Sequence, residues 1–288
     1  METLRRRARQ ISAFGKGILA LDTAPTELAA RLRAAAVVPT AAAAAAYRAM
    51  MLATPGLPSR VSGVVLPPWD LRPAGPLTGV RADAGFEPLA ADDTEVVTSG
   101  VDGLAARLRE FRERGAAFAV WGTSAGAAGA PPTLRALAAD AATAARFGYA
   151  CQHAGLVPVI RVGTRLRHGS AAERRGLRTA AVIMACRAAS DLELDMAALV
   201  LSTTVEPGDD ITGLLAALPP TLGGVAFSPG APAAAAPCPV TFYAGCAVTW
   251  PALLVWGGSA GAAGAAHEVL HDGLATAAGA LIGSAAGP

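Results

Sequence analysis

Eight short apolar runs that alternate with longer helical patterns constrain the fold of this 288-residue chain more than any other feature. The runs are predicted strands at 18–22, 62–66, 78–83, 118–122, 157–162, 198–203, 224–228 and 240–245. Strands that are apolar along most of their length and are separated by helices are typical of a parallel sheet covered by helices. Eight such units predict a closed (β/α)8 barrel, the TIM barrel, as a single α/β domain over residues 1–288.

An open, doubly wound sheet is the alternative fold, but no glycine-rich phosphate fingerprint follows the first predicted strand, which weakens it. One connection breaks the regular alternation. The segment PGAPAAAAPCP, residues 229–239, joins the seventh and eighth predicted strands and contains four prolines. Because proline disrupts a helix interior, this segment leaves little room for a crossover helix. We therefore expect a barrel that is pared down between strands 7 and 8.

Composition excludes several classes of function. The formal net charge of +2 is too small to indicate a nucleic-acid partner. The sequence shows no run of 18 strongly apolar residues, so we expect no membrane-spanning helix. The four cysteines are scattered without a CxxC pair, which favours a reducing, cytoplasmic location and predicts no disulfide framework.

Several longer motifs occur along the predicted strands in a fixed order. They are GKGILALD at 15–22, YRAMMLATPGL at 47–57, VSGVVL at 61–66, TSGVDGLAARL at 98–108, FAVWG at 118–122, ARFGYACQHAGLVPVI at 145–160, VEPG at 205–208 and TFYAG at 241–245. In this order they resemble the motifs of class I fructose-bisphosphate aldolases, over about residues 15–281. The resemblance implies the same barrel. It also implies the family's glycolytic reaction, reversible cleavage of fructose 1,6-bisphosphate into two triose phosphates through a lysine Schiff base on the sixth strand.

The positions that carry this chemistry in the family are mostly replaced here. Leu201 stands where the resemblance places the Schiff-base lysine, and leucine cannot form an imine. The other replacements are Ala84 and Val120 for lysines, Gly122 and Cys246 for arginines, Arg161 and Gly163 for glutamates, and Pro229 for a phosphate-binding serine. Asp22 is the one retained catalytic position, Asp83 is also kept, and Gly230 and Gly245 remain from the family's phosphate cradle.

These replacements predict a non-catalytic homologue that acts as a binding or scaffold protein, without a metal or another cofactor. Its predicted ligand is an anionic or phosphorylated small molecule, and homo-oligomers are compatible with the family. Arg161 would receive the anion together with the backbone amides of Gly230 and Gly245, because an arginine fork suits phosphate. The alternative for Arg161 is an ion pair with Asp22 or Asp83.

Two enzymatic alternatives remain open at this point. One is a different lyase or isomerase-type reaction on a phosphorylated metabolite, with Asp22 or Asp83 as acid/base and Arg161 as electrophile. The other is a metal hydrolase through HEVLH at 267–271, which fits the HExxH zincin pattern. Only Asp272 follows that motif as a further acidic or histidine ligand, so we expect no zinc site there.

Two further residues have definite expected positions. Lys16 is the chain's one lysine and begins the first strand, six residues before Asp22. At roughly 3.3 Å per residue the two lie about 20 Å apart, which places Lys16 at the barrel end opposite the active-site mouth. No histidine can be placed beside Cys246, so we expect a buried thiol there.

Overall fold

The structure is a computed structural model that describes residues 1–90, 94–123, 126, 130–163, 169–206, 208–231 and 236–283. Pro207 of the VEPG motif and residues 232–235 of the proline-rich connection lie outside the described residues. Eight parallel strands close into a barrel in the order β1-β10-β9-β8-β7-β6-β3-β2. They are β1 (Gly17–Ala20), β2 (Val61–Leu66), β3 (Leu77–Arg81), β6 (Phe118–Gly122), β7 (Val157–Val162), β8 (Val200–Thr203), β9 (Gly224–Phe227) and β10 (Val240–Ala244). The predicted (β/α)8 barrel is confirmed.

Helices surround this barrel unevenly. They are α1 (Glu2–Ile11), α2 (Pro25–Ala34), α3 (Ala41–Leu52), α4 (Leu57–Arg60), α5 (Leu104–Glu113), α6 (Leu134–Ala154), α7 (Ala171–Asp191), α8 (Thr212–Ala216), α9 (Cys246–Trp256) and α10 (Ala263–Gly283). Between β9 and β10, residues 228–231 and 236–239 contain no helix. Within the described part of the chain, no helix is long and apolar enough to cross a membrane.

A two-stranded antiparallel hairpin, β4 (Phe86–Pro88) and β5 (Val96–Thr98), is inserted after β3, where the sequence predicted no strand. The hairpin is fastened to the barrel wall by buried polar contacts. Thr98 donates its backbone N–H to the Asp140 carboxylate of α6 at 2.9 Å and its hydroxyl to the Gly122 carbonyl at 2.8 Å. Glu95 accepts hydrogen bonds from both the backbone N–H and the hydroxyl of Thr133, the residue that caps α6.

Strand residues alternate between the barrel interior and the helix layer, as the period of two in a β-strand requires. On β7, for example, Val157 and Val159 belong to the interior cluster, whereas Ile160 packs with the helices. Helix α1 covers the N-terminal end of the barrel. Its buried residues Leu4, Ala8 and Ile11 belong to the same interior cluster. The basic N-terminal segment is therefore a helix with one apolar face against the barrel and its arginines outside.

The Phe118 ring, from the first residue of β6, fills the barrel interior near the N-terminal ends of the strands. It fits because the positions that face it on β2 and β3 are glycines. Phe118 is fully buried. A Cβ atom added at Gly79 would lie 2.1 Å from this ring, and one added at Gly63 would lie 2.9 Å from it. The pairing of Gly79 with Phe118 across β3 and β6 holds the ring in this position.

We predict that Gly79→Ala lowers the free energy of unfolding by about 1–3 kcal/mol, because the new methyl group overlaps the Phe118 ring. The matched control is Gly176→Ala on α7, where an added Cβ meets nothing within 4 Å and a helix interior prefers alanine. It should raise stability by about 0.5–1 kcal/mol. Urea denaturation of both variants measures the difference, and equal stabilities would contradict this packing of the interior.

Candidate functional site

A cavity of about 490 Å³ opens at the C-terminal ends of the strands, the end of a (β/α)8 barrel where active sites lie. We call it the mouth cavity. The polar and charged residues on its described wall lie on, or one residue after, β3, β6, β7, β8 and β9, on β10, and at the first position of α9. They are Arg81, Thr123, Arg161, Ser202, Thr203, Thr204, Ser228, Tyr243 and Cys246. Phe86 of the hairpin also lines the cavity, so the unpredicted β4–β5 insertion forms part of the wall.

Asp83 neutralises one of the two arginines of the mouth cavity. Its Oδ1 accepts a hydrogen bond from Arg81 Nε at 2.9 Å, and Arg81 Nη2 lies 2.8 Å from the same oxygen. Its Oδ2 accepts the backbone N–H of Gly122 at 3.1 Å. The Asp83 side chain is only 2% exposed, so both oxygens are committed to the protein. The predicted site residue Asp83 therefore lies at the mouth but orients Arg81 and the end of β6.

Arg161 has no carboxylate partner among the residues that the structure describes. Its guanidinium carbon lies 4.5 Å from the centre of the Tyr243 ring, which is a cation–π contact. Asp83 pairs with Arg81 instead, and Asp22 influences Arg161 through its charge without an ion pair within 4.0 Å. The expected ion pair of Arg161 with Asp22 or Asp83 is therefore absent from the described residues. The guanidinium lines the cavity, and no carboxylate of the described residues lies within 4.0 Å of it.

Asp22 follows β1 and is 6% exposed, and its Oδ2 has no hydrogen-bond partner. Burial raises the pKa of Asp22, while the positive charges of Arg161 and Arg81 act in the opposite direction. Burial and then the charge of Asp22 raise the pKa of Tyr243. The Tyr243 hydroxyl and the Thr203 hydroxyl are buried and also lack a hydrogen-bond partner. Several polar groups are therefore gathered at the mouth without satisfying one another.

The sixth barrel strand, β8, requires a correction to the motif comparison. Leu201 packs in the cluster between the strands and the helices, together with residues of α7. Ser202 lines the mouth cavity and pairs in register with Arg161 of β7. The side chain that faces the mouth at this level is therefore Ser202, although the motif places Leu201 at the lysine position. Neither residue carries an amine.

The remnants of the phosphate cradle are only partly brought together. Gly245 lines the cavity and precedes α9, whereas Gly230 follows the lining residue Pro229 and adopts a left-handed φ of 89°. The expectation of a buried thiol at Cys246 is wrong, because Cys246 is exposed while the other three cysteines are buried. Its position as the first residue of α9, beside the cavity, explains this exposure.

The remaining candidates lie away from the mouth cavity. Lys16 precedes β1 and donates from Nζ to the Pro58 carbonyl at 2.8 Å, at the barrel end opposite Asp22. Glu206 forms an ion pair with Arg174 at 2.8 Å. Within HEVLH, His267 contacts the Met50 carbonyl and His271 accepts a hydrogen bond from Arg60. The described residues contain no cluster of three or more histidine, cysteine or acidic side chains suited to a metal ion.

The sequence analysis missed Arg81, Thr203 and Tyr243 as residues of the mouth cavity. For Tyr243 a signal was available, because Phe242 and Ala244 flank it on β10 and alternate residues face opposite sides of a strand. The structure packs Phe242 and Ala244 against the helices and Tyr243 in the barrel interior.

Comparison with known proteins agrees with this architecture. The family described as "Glycolytic: Fructose-bisphosphate aldolase class-I" matches residues 3–189. A probable fructose-bisphosphate aldolase class 1 of Xanthomonas campestris is 33% identical over 174 residues, 56% of this chain and 52% of that protein. The cytosolic fructose-bisphosphate aldolase 7 of Arabidopsis thaliana is 28% identical over 252 residues, 77% of this chain and 70% of that protein. The alignments thus span about half the length of the first of these curated relatives.

A solved structure of fructose-bisphosphate aldolase from Plasmodium falciparum, in complex with TRAP and a small molecule inhibitor, superposes with a TM-score of 0.86. It is 22% identical in sequence, and the superposition covers 100% of this chain and 96% of that one. At this level of identity the likeness establishes the shared fold.

We predict that Asp22→Asn stabilises the chain at pH 8 and that the difference from the wild type shrinks toward about pH 4. Because the pKa of Asp22 is raised by burial, the folded chain holds this proton more tightly than the unfolded chain. Ionisation on raising the pH therefore lowers the free energy of unfolding, and asparagine removes that loss. Thermal melts across this pH range measure the effect, with the exposed Asp102→Asn as the control. A variant less stable than the wild type at pH 8 would show instead that the arginines outweigh burial.

Proposed function

Because this chain belongs to the class I fructose-bisphosphate aldolase family, we propose that its barrel mouth has lost Schiff-base catalysis and binds a small anionic metabolite. The observation that carries this proposal is the Arg161 guanidinium, which has no carboxylate partner among the described residues and lines a mouth cavity without a lysine. In this account the protein is a non-catalytic binding or scaffold protein on an aldolase barrel. Its cytoplasmic location is proposed by analogy with the cytosolic Arabidopsis relative.

The argument against Schiff-base catalysis is chemical. Imine formation needs an unprotonated primary amine within reach of the substrate carbonyl. Leu201 and Ser202 on β8 provide none, and the chain's one lysine, Lys16, precedes β1 and bonds to the Pro58 carbonyl. The barrel length separates Lys16 from the mouth cavity, so it cannot substitute for the missing lysine.

The argument for anion binding rests on positive charge and on free N–H groups at one place. Arg161 brings a charge without a carboxylate partner in the described part of the chain, and its guanidinium carbon lies 4.5 Å from the centre of the Tyr243 ring. Helix α9 begins at Cys246 with no side chain capping its first turn, and Cys246 and Ala247 line the same cavity. The first N–H groups of a helix and its dipole both favour a negative group.

A second candidate function is an enzyme of another reaction class that uses Asp22 as the general acid or base. The raised pKa and the unpartnered Oδ2 of Asp22 favour this role. Asp83 is less suited to it, because Arg81 and the Gly122 amide hold both of its oxygens. In this alternative Arg161 polarises the substrate.

We predict that borohydride reduction in the presence of dihydroxyacetone phosphate leaves the intact mass of the full chain unchanged. The N-terminal amine is blocked beforehand, so that Lys16 is the only primary amine that remains. A Lys16→Met variant is treated in parallel. An adduct on the wild type that disappears in Lys16→Met would refute the proposed loss of the imine chemistry.

We predict that sodium phosphate at pH 6 raises the Tm of the wild type and leaves the Tm of Arg161→Ala unchanged. At ten times Kd the expected stabilisation is about 1.4 kcal/mol, by mass action. The matched control is Arg146→Ala, which removes an exposed arginine of α6 far from the cavity wall and should retain the full shift. Equal shifts in all three proteins would refute an anion site at Arg161.

A further inference from the structure

The charges at the mouth cavity suit a ligand with a single negative charge. Arg81 and Arg161 contribute two positive charges, and Asp83 offsets Arg81 at 2.8 Å. Asp22 contributes no more than one further negative charge, and burial opposes its ionisation. Arg161 is thus the one cation on the described cavity wall that no carboxylate neutralises within 4.0 Å.

A second anionic group finds no further cation on the described wall. Pro229 has no N–H to donate, and the threonine and serine residues of the wall offer neutral hydroxyls. The start of α9 supplies N–H groups and the partial charge of a helix terminus, which is about half a unit. A doubly charged phosphate at each end of a ligand would therefore exceed the positive charge on the part of the wall that the structure describes.

An unpartnered hydroxyl supplies a further part of the recognition chemistry. Tyr243 lies on the interior face of β10, is 7% exposed and lines the cavity, and its hydroxyl has no hydrogen-bond partner. A buried hydroxyl without a partner carries an energetic cost that a ligand hydroxyl would remove. The cavity of about 490 Å³ lies in the range of small-molecule sites, roughly 300–1,000 Å³.

We propose that the mouth cavity binds a small hydroxylated monocarboxylate of the sugar-acid type in preference to a bisphosphorylated sugar. The ligand carboxylate pairs with the Arg161 guanidinium, which offers two parallel N–H donors. A ligand hydroxyl bonds to Tyr243. This inference rests on the proposed anion site and specifies the class of ligand that the site takes.

The charge state of Asp22 gives this ligand class a pH dependence. The charged and titratable groups around Asp22 are Arg161 of β7, Arg81 of β3, Asp83 after β3, and Tyr243 of β10. As the pH falls through the pKa of Asp22, the mouth loses one negative charge while Arg161 keeps its charge. Binding of the monocarboxylate therefore tightens as the pH falls, down to the pH range of about 4 in which the ligand carboxylate itself is protonated.

Cys246 provides a reporter of ligand occupancy, because it is the exposed cysteine of the four and lines the cavity. The experiment follows the rate of iodoacetamide alkylation of the full chain by mass spectrometry, with D-gluconate as the probe. Uncharged D-glucitol is the matched control, and fructose 1,6-bisphosphate is the competing class. A ligand could bind without covering the Cys246 thiol, and thermal melts on the same samples detect such binding as a raised Tm.

The expected result is severalfold slower alkylation, or a raised Tm, with gluconate at concentrations where glucitol has no effect and fructose 1,6-bisphosphate has less. Arg161→Met, which keeps a long side chain over Tyr243 without the charge, should weaken gluconate binding at least tenfold. Tyr243→Phe should weaken it less, and Arg146→Ala should not change it.

The experiment distinguishes failure of the anion site from failure of the monocarboxylate assignment. If neither gluconate, phosphate nor the bisphosphate slows alkylation or raises the Tm, the anion site itself is overturned, and the ligand class with it. If fructose 1,6-bisphosphate protects at lower concentration than gluconate in an Arg161-dependent way, the anion site stands and the monocarboxylate assignment is wrong.

Discussion

Closure of the eight parallel strands is the constraint on which the rest of the structure depends. A closed barrel brings the carboxyl ends of all its strands to one rim, so residues far apart in sequence become neighbours. Asp22 after β1, Arg81 on β3, Arg161 on β7 and Tyr243 on β10 meet there, and each alters the electrostatic environment of the others. The glycines that accept the Phe118 ring keep the interior packed below this rim, which holds the mouth residues in place.

Within this barrel, most of the residues at the rim positions of the family's chemistry differ from those that the resemblance implies. The family's imine chemistry depends on a lysine amine, and here the facing position on β8 is a serine. An arginine on β7 stands where the resemblance implies a glutamate, so the sign of the charge is reversed at that level. Under the proposed function, the barrel keeps its geometry, exchanges the charges of its rim and binds a different ligand, because fold and chemistry are specified by different residues.

Much of the fold could be predicted from the sequence, because long apolar strand runs and amphipathic helices are local signals. The β4–β5 hairpin could not, since its strands have three residues each and its anchoring contacts, such as Thr98 to Asp140, are distant in sequence.

The position of Arg161 was predicted, but its partner was not. Arg81 and Arg161 both lie near Asp83, and the geometry of the folded chain decides which of them forms the ion pair. Arg81 forms it, at 2.8 Å. The exposure of Cys246 depends on where α9 begins, which motif matching does not determine. The direction of the Leu201 side chain, toward the helices, depends on the register of β8, which motif matching does not determine either.

The most direct test of the account is steady-state cleavage of fructose 1,6-bisphosphate by the full chain, followed by a coupled assay of triose phosphate formation. The account predicts a rate equal to the background without protein, because no amine reaches the mouth cavity. Cleavage above that background that survives in Lys16→Met would point to an imine-independent route at the rim. Cleavage that Lys16→Met abolishes would contradict the placement of the chain's one lysine at the opposite end of the barrel.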